Sequence, residues 1–257
     1  MLGKNRIKTI RSLEMKKYRL REQQFLAEGT KLVTTLLASE MVVEWLAATP
    51  EWLAEAGELA RKSLTVTEAS ADELAKATFL KAPPPCMALC RIPQYAPEEI
   101  APEKDLVLCL DGIQDPGNLG TIVRLAGWFG IRDIVCSEDT ADLYAPKAVQ
   151  ATMGALTGVR VHYLPLHDFL ARSKARGLQI AGTFLEGDDL YKAALPACGI
   201  IVLGNEGQGI RSETAPLMTR KLTIPDFALA GVKPESLNVS VAAAIVLSEF
   251  RRRKGSS

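Results

Sequence analysis

Residues 105–131 read DLVLCLDGIQDPGNLGTIVRLAGWFGI, and this stretch decides the fold. DLVLCLDGI (105–113) is a nearly unbroken apolar run of strand length, the pattern of a strand buried on both faces of a parallel sheet. The spacing predicts a loop over Gln114–Gly117, a turn at Pro116 and Gly117, and a helix over 118–129 with Asn118 at its N-cap. Arg124 interrupts the apolar run of that helix. A long cation there must reach water or an anion. Two readings are open for it: an ion pair with Asp111 or Asp115, or a guanidinium aimed at a phosphate or a reacting oxygen.

Outward towards the C-terminus, strands are predicted at 131–136, 159–164, 178–185, 198–204 and 221–225, with helices between several of them and an apolar helix over 237–250. Five or six strands with intervening helices make an open α/β domain, whose ligands bind at the carboxyl ends of the strands. Two further segments there are rich in small and polar residues. In IVLGNEGQGI (201–210), Gly204, Gly207 and Gly209 let the backbone turn sharply and approach a ligand. Their order is not that of a dinucleotide fingerprint, which argues against a nicotinamide-dependent oxidoreductase. Glu206, held inside that turn, is the unusual feature. In IPDFALAGVKPESLNVSVAAAIVLSEF (224–250), Ser236 is placed as an N-cap, with Asn238 and Ser240 in the first helical turn. Amides at a helix start form a donor cluster suited to a carboxylate or an adenine edge. Ala242, Ala243 and Ala244 permit close packing against this helix.

Outward towards the N-terminus the reading is a small α/β sandwich. It comprises a basic amphipathic helix over 4–22, strands at 25–28, 41–47, 64–67 and 86–92, and helices after Gly29, near 51–60, and over 71–79 capped by Ser70. Pro93, Pro97 and Pro102, among Glu98, Glu99 and Glu103, break helix and strand alike. The expected division is therefore a domain over 1–95, a linker over 96–104 and a second domain over 105–257. Charge follows this division: residues 1–31 carry nine Lys and Arg against three Asp and Glu, whereas 32–105 carry six against twelve. The basic N-terminal helix and the tail Arg251, Arg252, Arg253, Lys254 are candidates for phosphate contact.

With 257 residues, 47% apolar and 24% charged, the composition is that of a folded globular chain, not of a disordered or fibrous one. No apolar run approaches the roughly 20 residues that span a bilayer, and the charged N-terminus lacks the apolar centre of a signal peptide. A cytoplasmic protein without membrane contact is expected. The five cysteines read as reduced, mostly buried thiols, and two histidines leave no metal site to expect. P-loop, serine nucleophile elbow and H-E-x-x-H patterns are missing. Asn118, Arg124, Glu206, Ser236 and Asn238 form a polar set without a nucleophile, which favours group transfer between bound partners over covalent catalysis.

DPGNLGTIVRLAGWFG, LGNEGQGI and ESLNVSVAAAI, in that order, resemble the three motifs of the SpoU (TrmH-type) branch of the SPOUT RNA methyltransferases. The resemblance implies an α/β domain with a parallel sheet and a deep trefoil knot, S-adenosyl-L-methionine as methyl donor, a homodimer, and methylation of a ribose 2′-hydroxyl in RNA. It places catalytic roles on Arg124, Asn118, Glu206, Ser236 and Asn238. It places cofactor contacts on Thr183, Leu203, Gly204, Gly207, Ile224, Leu237, Asn238 and Ser240. Residues 1–95, with FLAEGTKLV at 25–33, resemble the family's L30e-like substrate-binding domain, which accompanies members acting on ribosomal RNA. Ribosomal RNA is accordingly the expected substrate, with transfer RNA, or a non-catalytic assembly factor of the same fold, as alternatives. The segment DFALAGVKP (226–234) is longer than the family pattern and borders the expected cofactor site.

Overall fold

The computed structural model describes residues 2–228 and 235–254, and its chain divides into two units. The first comprises Met1–Gln94 together with Asp142–Thr157; the second comprises Tyr95–Ala141 and Gly158–Ser257.

The first unit runs α1 (Lys4–Ser12), α2 (Lys16–Glu22), β1 (Gln24–Glu28), α3 (Thr30–Leu37), β2 (Val43–Ala48), α4 (Pro50–Ala56), β3 (Val66–Glu68), α5 (Ala71–Ala77) and β4 (Cys86–Arg91). Its sheet has the order β1-β4-β2-β3, antiparallel except for the β2–β3 pair. Side chains alternate across the sheet, as the period of two requires. Phe25, Ala27, Leu46, Ala48, Cys86, Ala88 and Cys90 meet Leu32, Val33, Leu36 and Leu37 of α3 in one core. Leu26, Trp45, Ala47, Met87 and Leu89 meet Ile10, Leu13 and Leu74 in the other. Local chemistry sets the helix starts: Thr49 caps α4 ahead of Pro50, and Ser70 with Glu73 forms a capping box on α5.

The helix expected over 4–22 is two helices. No Gly or Pro marks the break. Instead the buried Arg19 donates to the carbonyls of Leu13 and Glu14 at 2.6 and 2.8 Å and pairs with Asp142 at 2.6 Å, so the interruption is stabilised from a distance in sequence.

The second unit opens with β5 (Leu106–Asp111), α6 (Pro116–Trp128) and β6 (Asp133–Cys136). Residues 142–157, which carry α7 (Pro146–Thr152), belong to the first unit, where Val149 and Leu156 enter the core with Phe25 and Leu36. Nothing local in the sequence signals this excursion. The second unit resumes with β7 (Arg160–Tyr163), α8 (Leu166–Ala175), β8 (Ile180–Asp189), β9 (Gly199–Gly204), β10 (Arg220–Thr223) and α9 (Val239–Lys254). Among the described residues its sheet has six strands, all parallel, in the order β10-β8-β9-β5-β6-β7, and every residue of β5 is buried. This is the α/β architecture with a central two-sided strand that the run at 105–113 predicts. Val107, Cys109, Val135, Ile200 and Val202 pack with Leu166 and Leu170 of α8, and α6 packs on α9.

Two capping assignments are corrected. Asp115, not Asn118, caps α6: its Oδ1 accepts the Asn118 amide at 2.9 Å, and Pro116 takes the first helical position. The last helix begins at Val239, so Asn238 rather than Ser236 is its cap, its Oδ1 accepting the Ser240 amide at 2.9 Å. The basic tail is also occupied structurally. Arg251 donates to the carbonyls of Phe129 and Gly130 at the end of α6, and Arg252 and Arg253 pair with Glu249.

Four of the five cysteines are buried, and burial pushes the Cys86 thiol up to about 12. Among the described residues no helix is long and apolar enough to cross a membrane.

Candidate active site

The order of the second sheet reverses direction at β5: the chain steps outward through β6 and β7, then crosses to the other side of β5 for β8, β9 and β10. Crevices at such reversals, beyond the carboxyl ends of the strands, are where open α/β sheets bind ligands. Asp111 and Gly204, the last residues of β5 and β9, are paired in register, so the loops that follow them leave the sheet side by side.

The loop after β9 closes on itself through a bridge between Asn205 and Gly209. A Cβ at Gly204 would lie 2.1 Å from the backbone of Gly209 and Ile210, so no other residue fits there. Asn205 ties this loop to its neighbour: its Nδ2 donates to the Gly112 carbonyl at 2.7 Å, while its Oδ1 accepts the amides of Gly207 and Gln208. Arg211 adds a second tie, its amide donating to buried Asp111 at 3.0 Å and its guanidinium pairing with Asp139. That hydrogen bond holds the Asp139 carboxyl below its ordinary range and raises the Arg211 guanidinium above its own, with Asp111 adding to the latter. Gly112, at φ +75, leaves room for the Arg211 side chain, which a Cβ would meet at 2.6 Å.

On this frame the three separated motifs meet. Asn118 Nδ2 donates to Glu206 Oε1 at 2.9 Å, and Asn238 Nδ2 donates to Asn118 Oδ1 at 3.1 Å. Asn238 Oδ1 in turn accepts the Ser240 hydroxyl at 2.6 Å. A single hydrogen-bonded chain, Ser240–Asn238–Asn118–Glu206, thus joins the first turn of α6, the glycine loop and the start of α9. Both ends of the Asn118 amide are committed, which fixes its orientation.

The structure leaves the other two members of the sequence-derived set outside this chain. Arg124 is exposed, two turns further along α6, and among the described residues it has no ion pair; the alternative of a bond to Asp111 or Asp115 is thereby excluded. Ser236 is exposed and makes no hydrogen bond among the described residues. Asn205 and Arg211 were not singled out in the sequence; for Asn205 the signal was its place inside the glycine loop.

The residues expected to hold a cofactor lie around the ends of adjacent strands. Leu203 and Gly204 end β9, Thr183 is the first residue of β8 beyond its pairing with β9, Gly207 is in the glycine loop, and Ile224 follows β10. Leu237, 47% exposed, Asn238 and Ser240 stand at the start of α9. This set offers backbone amides and carbonyls, hydroxyls and apolar side chains, with no ionisable side chain of its own. Such a set suits a nucleoside bearing its own charges, held by backbone hydrogen bonds and apolar contact. Within 226–234, residues 229–234 lie outside the described residues. No group of three His, Cys, Asp or Glu able to hold a metal occurs among the described residues.

Comparison with known proteins gives two family matches. Residues 105–248 match the SpoU rRNA methylase family, and residues 4–88 match the MRM3-like substrate binding domain. The chain is 29% identical, over 96% of both sequences, to the 23S rRNA (guanosine(2553)-2′-O)-methyltransferase RlmP of Bacillus subtilis. Among solved structures, a protein assigned to the TrmH family of RNA methyltransferases from Porphyromonas gingivalis is 43% identical, with a TM-score of 0.87 over 98% of this chain and 99% of that one. An AdoMet-bound rRNA methyltransferase from Sinorhizobium meliloti is 29% identical, with a TM-score of 0.86 over 98% and 96%.

Proposed function

The chain belongs to the SpoU rRNA methylase family, and from that premise we propose that it methylates a ribose 2′-hydroxyl of ribosomal RNA. It is an S-adenosylmethionine-dependent RNA methyltransferase with the SPOUT fold. The observation that carries the reading is the Ser240–Asn238–Asn118–Glu206 chain, which assembles all three motifs beyond the carboxyl ends of β5 and β9. A deep trefoil knot is part of the proposal; the strand order, with β9 inserted between β8 and β5, and the meeting of the glycine loop with the start of α9 support it.

S-adenosylmethionine supplies a methyl group already activated on a sulfonium. The task left to the protein is to orient the 2′-oxygen and to ease loss of its proton. In this reading Arg124 is the catalytic residue. Its guanidinium holds the adjoining phosphate and stabilises negative charge developing on the 2′-oxygen, a role for a fixed cation rather than for a base. Asn118 and Glu206 are positioning residues that fix the first turn of α6 against the glycine loop. Ser236 and Asn238 shape the opening beside the start of α9. Thr183, Leu203, Gly204, Gly207, Ile224, Leu237, Asn238 and Ser240 hold the cofactor.

The first unit, which includes the match to a substrate-binding domain, binds the RNA through the basic face of α1 and α2; the second unit is the catalytic domain, and the stretch 96–104 read as a linker is part of it, with Ile100 in its core and Glu99 paired with Arg160. The active species is a cytoplasmic homodimer. Exposed apolar side chains on α6 and α9, Trp128 at 84% and Val241 at 48%, support an interface there. Mapping 2′-O-methyl groups in ribosomal RNA from cells with and without this protein tests the assignment. Loss of one defined mark supports it, and an unchanged ribosomal RNA with a missing transfer-RNA mark overturns the choice of substrate.

A further inference from the structure

The first unit contains a cleft of about 470 Å³ lined by Glu14, Glu28, Phe79, Leu80, Lys147 and Gln150, together with Ala145 and Pro146. That size lies in the range of about 300–1,000 Å³ of small-molecule sites. Its unusual member is Glu28, at the end of β1, which is only 3% exposed. The carboxylate accepts the Thr78 hydroxyl and, at 3.2 and 3.3 Å, the Phe79 amide, and among the described residues it has no ion pair. Burial pushes the Glu28 carboxyl up, against the opposing pull of Thr78, Phe79 and the nearby Arg11. A glutamine would accept both hydrogen bonds without burying a charge. With two lone pairs on each oxygen, the carboxylate keeps acceptor capacity beyond the bonds to Thr78 and Phe79.

The rim adds two features. The Phe79 ring is half-buried, and the Arg11 guanidinium lies 5.3 Å from its centroid while donating to the Thr78 carbonyl at 2.7 Å. Exposed Lys4, Arg6, Lys8, Lys17 and Arg21 line the two N-terminal helices. An aromatic face beside fixed acceptors, under a field of positive charge, is the chemistry that receives a splayed base of single-stranded RNA.

We propose that this cleft takes an unpaired guanine of the RNA substrate, its N1–H and N2–H donating to the Glu28 carboxylate and its ring resting against Phe79. Guanine presents two adjacent donors on that edge. Adenine and uracil set an acceptor beside the donor, against the carboxylate, and cytosine offers one donor. An arginine-bearing peptide would also match the carboxylate, but the basic helices repel it. The proposal rests on the RNA reading above and adds a nucleotide subsite in the substrate-binding unit.

The test titrates the full chain with guanosine, adenosine, cytidine and uridine 5′-monophosphates, and with free arginine, by ligand-observed NMR. Guanosine monophosphate is expected to bind about tenfold tighter than the others, the worth of a charged hydrogen-bond pair. Glu28→Gln, which keeps the acceptor for Thr78 and Phe79, abolishes the preference; Phe79→Leu weakens all four nucleotides alike; Arg124→Ala retains the preference, which separates this cleft from the catalytic site. A guanosine preference unchanged in Glu28→Gln, or binding of arginine alone, overturns the assignment. If the wild-type chain then still methylates ribosomal RNA, the catalytic reading stands without it; if it methylates no RNA, the catalytic reading is the one that fails.

Discussion

At the scale of single residues, Asn118 is the point on which the site turns. Its amide donates to Glu206 and accepts from Asn238, so one side chain holds two loops that are far apart in sequence. Asn118→Asp replaces the donor with an acceptor and sets two carboxylates against each other. The expected result is a loss of about 1–3 kcal/mol of stability, read by denaturant unfolding, and a methyl-transfer rate down by at least about tenfold. A variant as stable and active as the wild type would show that this hydrogen-bonded chain is incidental. The sequence made Asn118, Glu206 and Asn238 visible because polar residues interrupt small-residue stretches at strand ends. It mislabelled Asn118 as a cap, because Asp115 followed by Pro116 is the stronger start signal and was read as a turn.

At the scale of elements, β5 was legible because a fully buried parallel strand has no polar face to confuse its reading. The split of α1 from α2 was not, since it depends on Arg19 reaching Asp142, 123 residues away. The C-terminal helix was legible as apolar, and its basic end was a candidate for phosphate contact. In the structure Arg252 and Arg253 pair with Glu249, whose carboxyl is lowered from 4.5 to about 2, chiefly by the Arg252 hydrogen bond. A folded-state value below the unfolded one means that the contribution is complete above about pH 4.5 and is lost as pH falls towards 2. The difference in melting temperature between wild type and Glu249→Gln is therefore expected to be largest near neutrality and to vanish in acid. A difference that stays constant across this window would show that the glutamate acts by packing, not charge.

At the scale of the whole molecule, the excursion 142–157 makes the two units interdependent in sequence. Val149 and Leu156 lie in the core of the first unit although the chain on either side belongs to the second. A fragment that begins at residue 95 exposes these side chains and is expected to aggregate. The same fragment with 142–157 replaced by a short polar linker is expected to stay soluble and to bind S-adenosylmethionine in calorimetry. Equal solubility of both fragments would mean that α7 contributes little to the first core. Periodicity and turn chemistry could not reveal this exchange, because each is a local signal.

The central claim is that the three motifs form one site in which Arg124 acts on the ribose oxygen. Its most direct test follows a labelled methyl group from S-adenosylmethionine into ribosomal RNA, with nuclease digestion to identify the modified nucleoside. The account predicts label in a 2′-O-methylnucleoside and a rate about 100-fold lower or more for Arg124→Ala. Cofactor affinity should remain near that of the wild type. Label on a base, or an Arg124→Ala variant that transfers methyl at the wild-type rate, would contradict it.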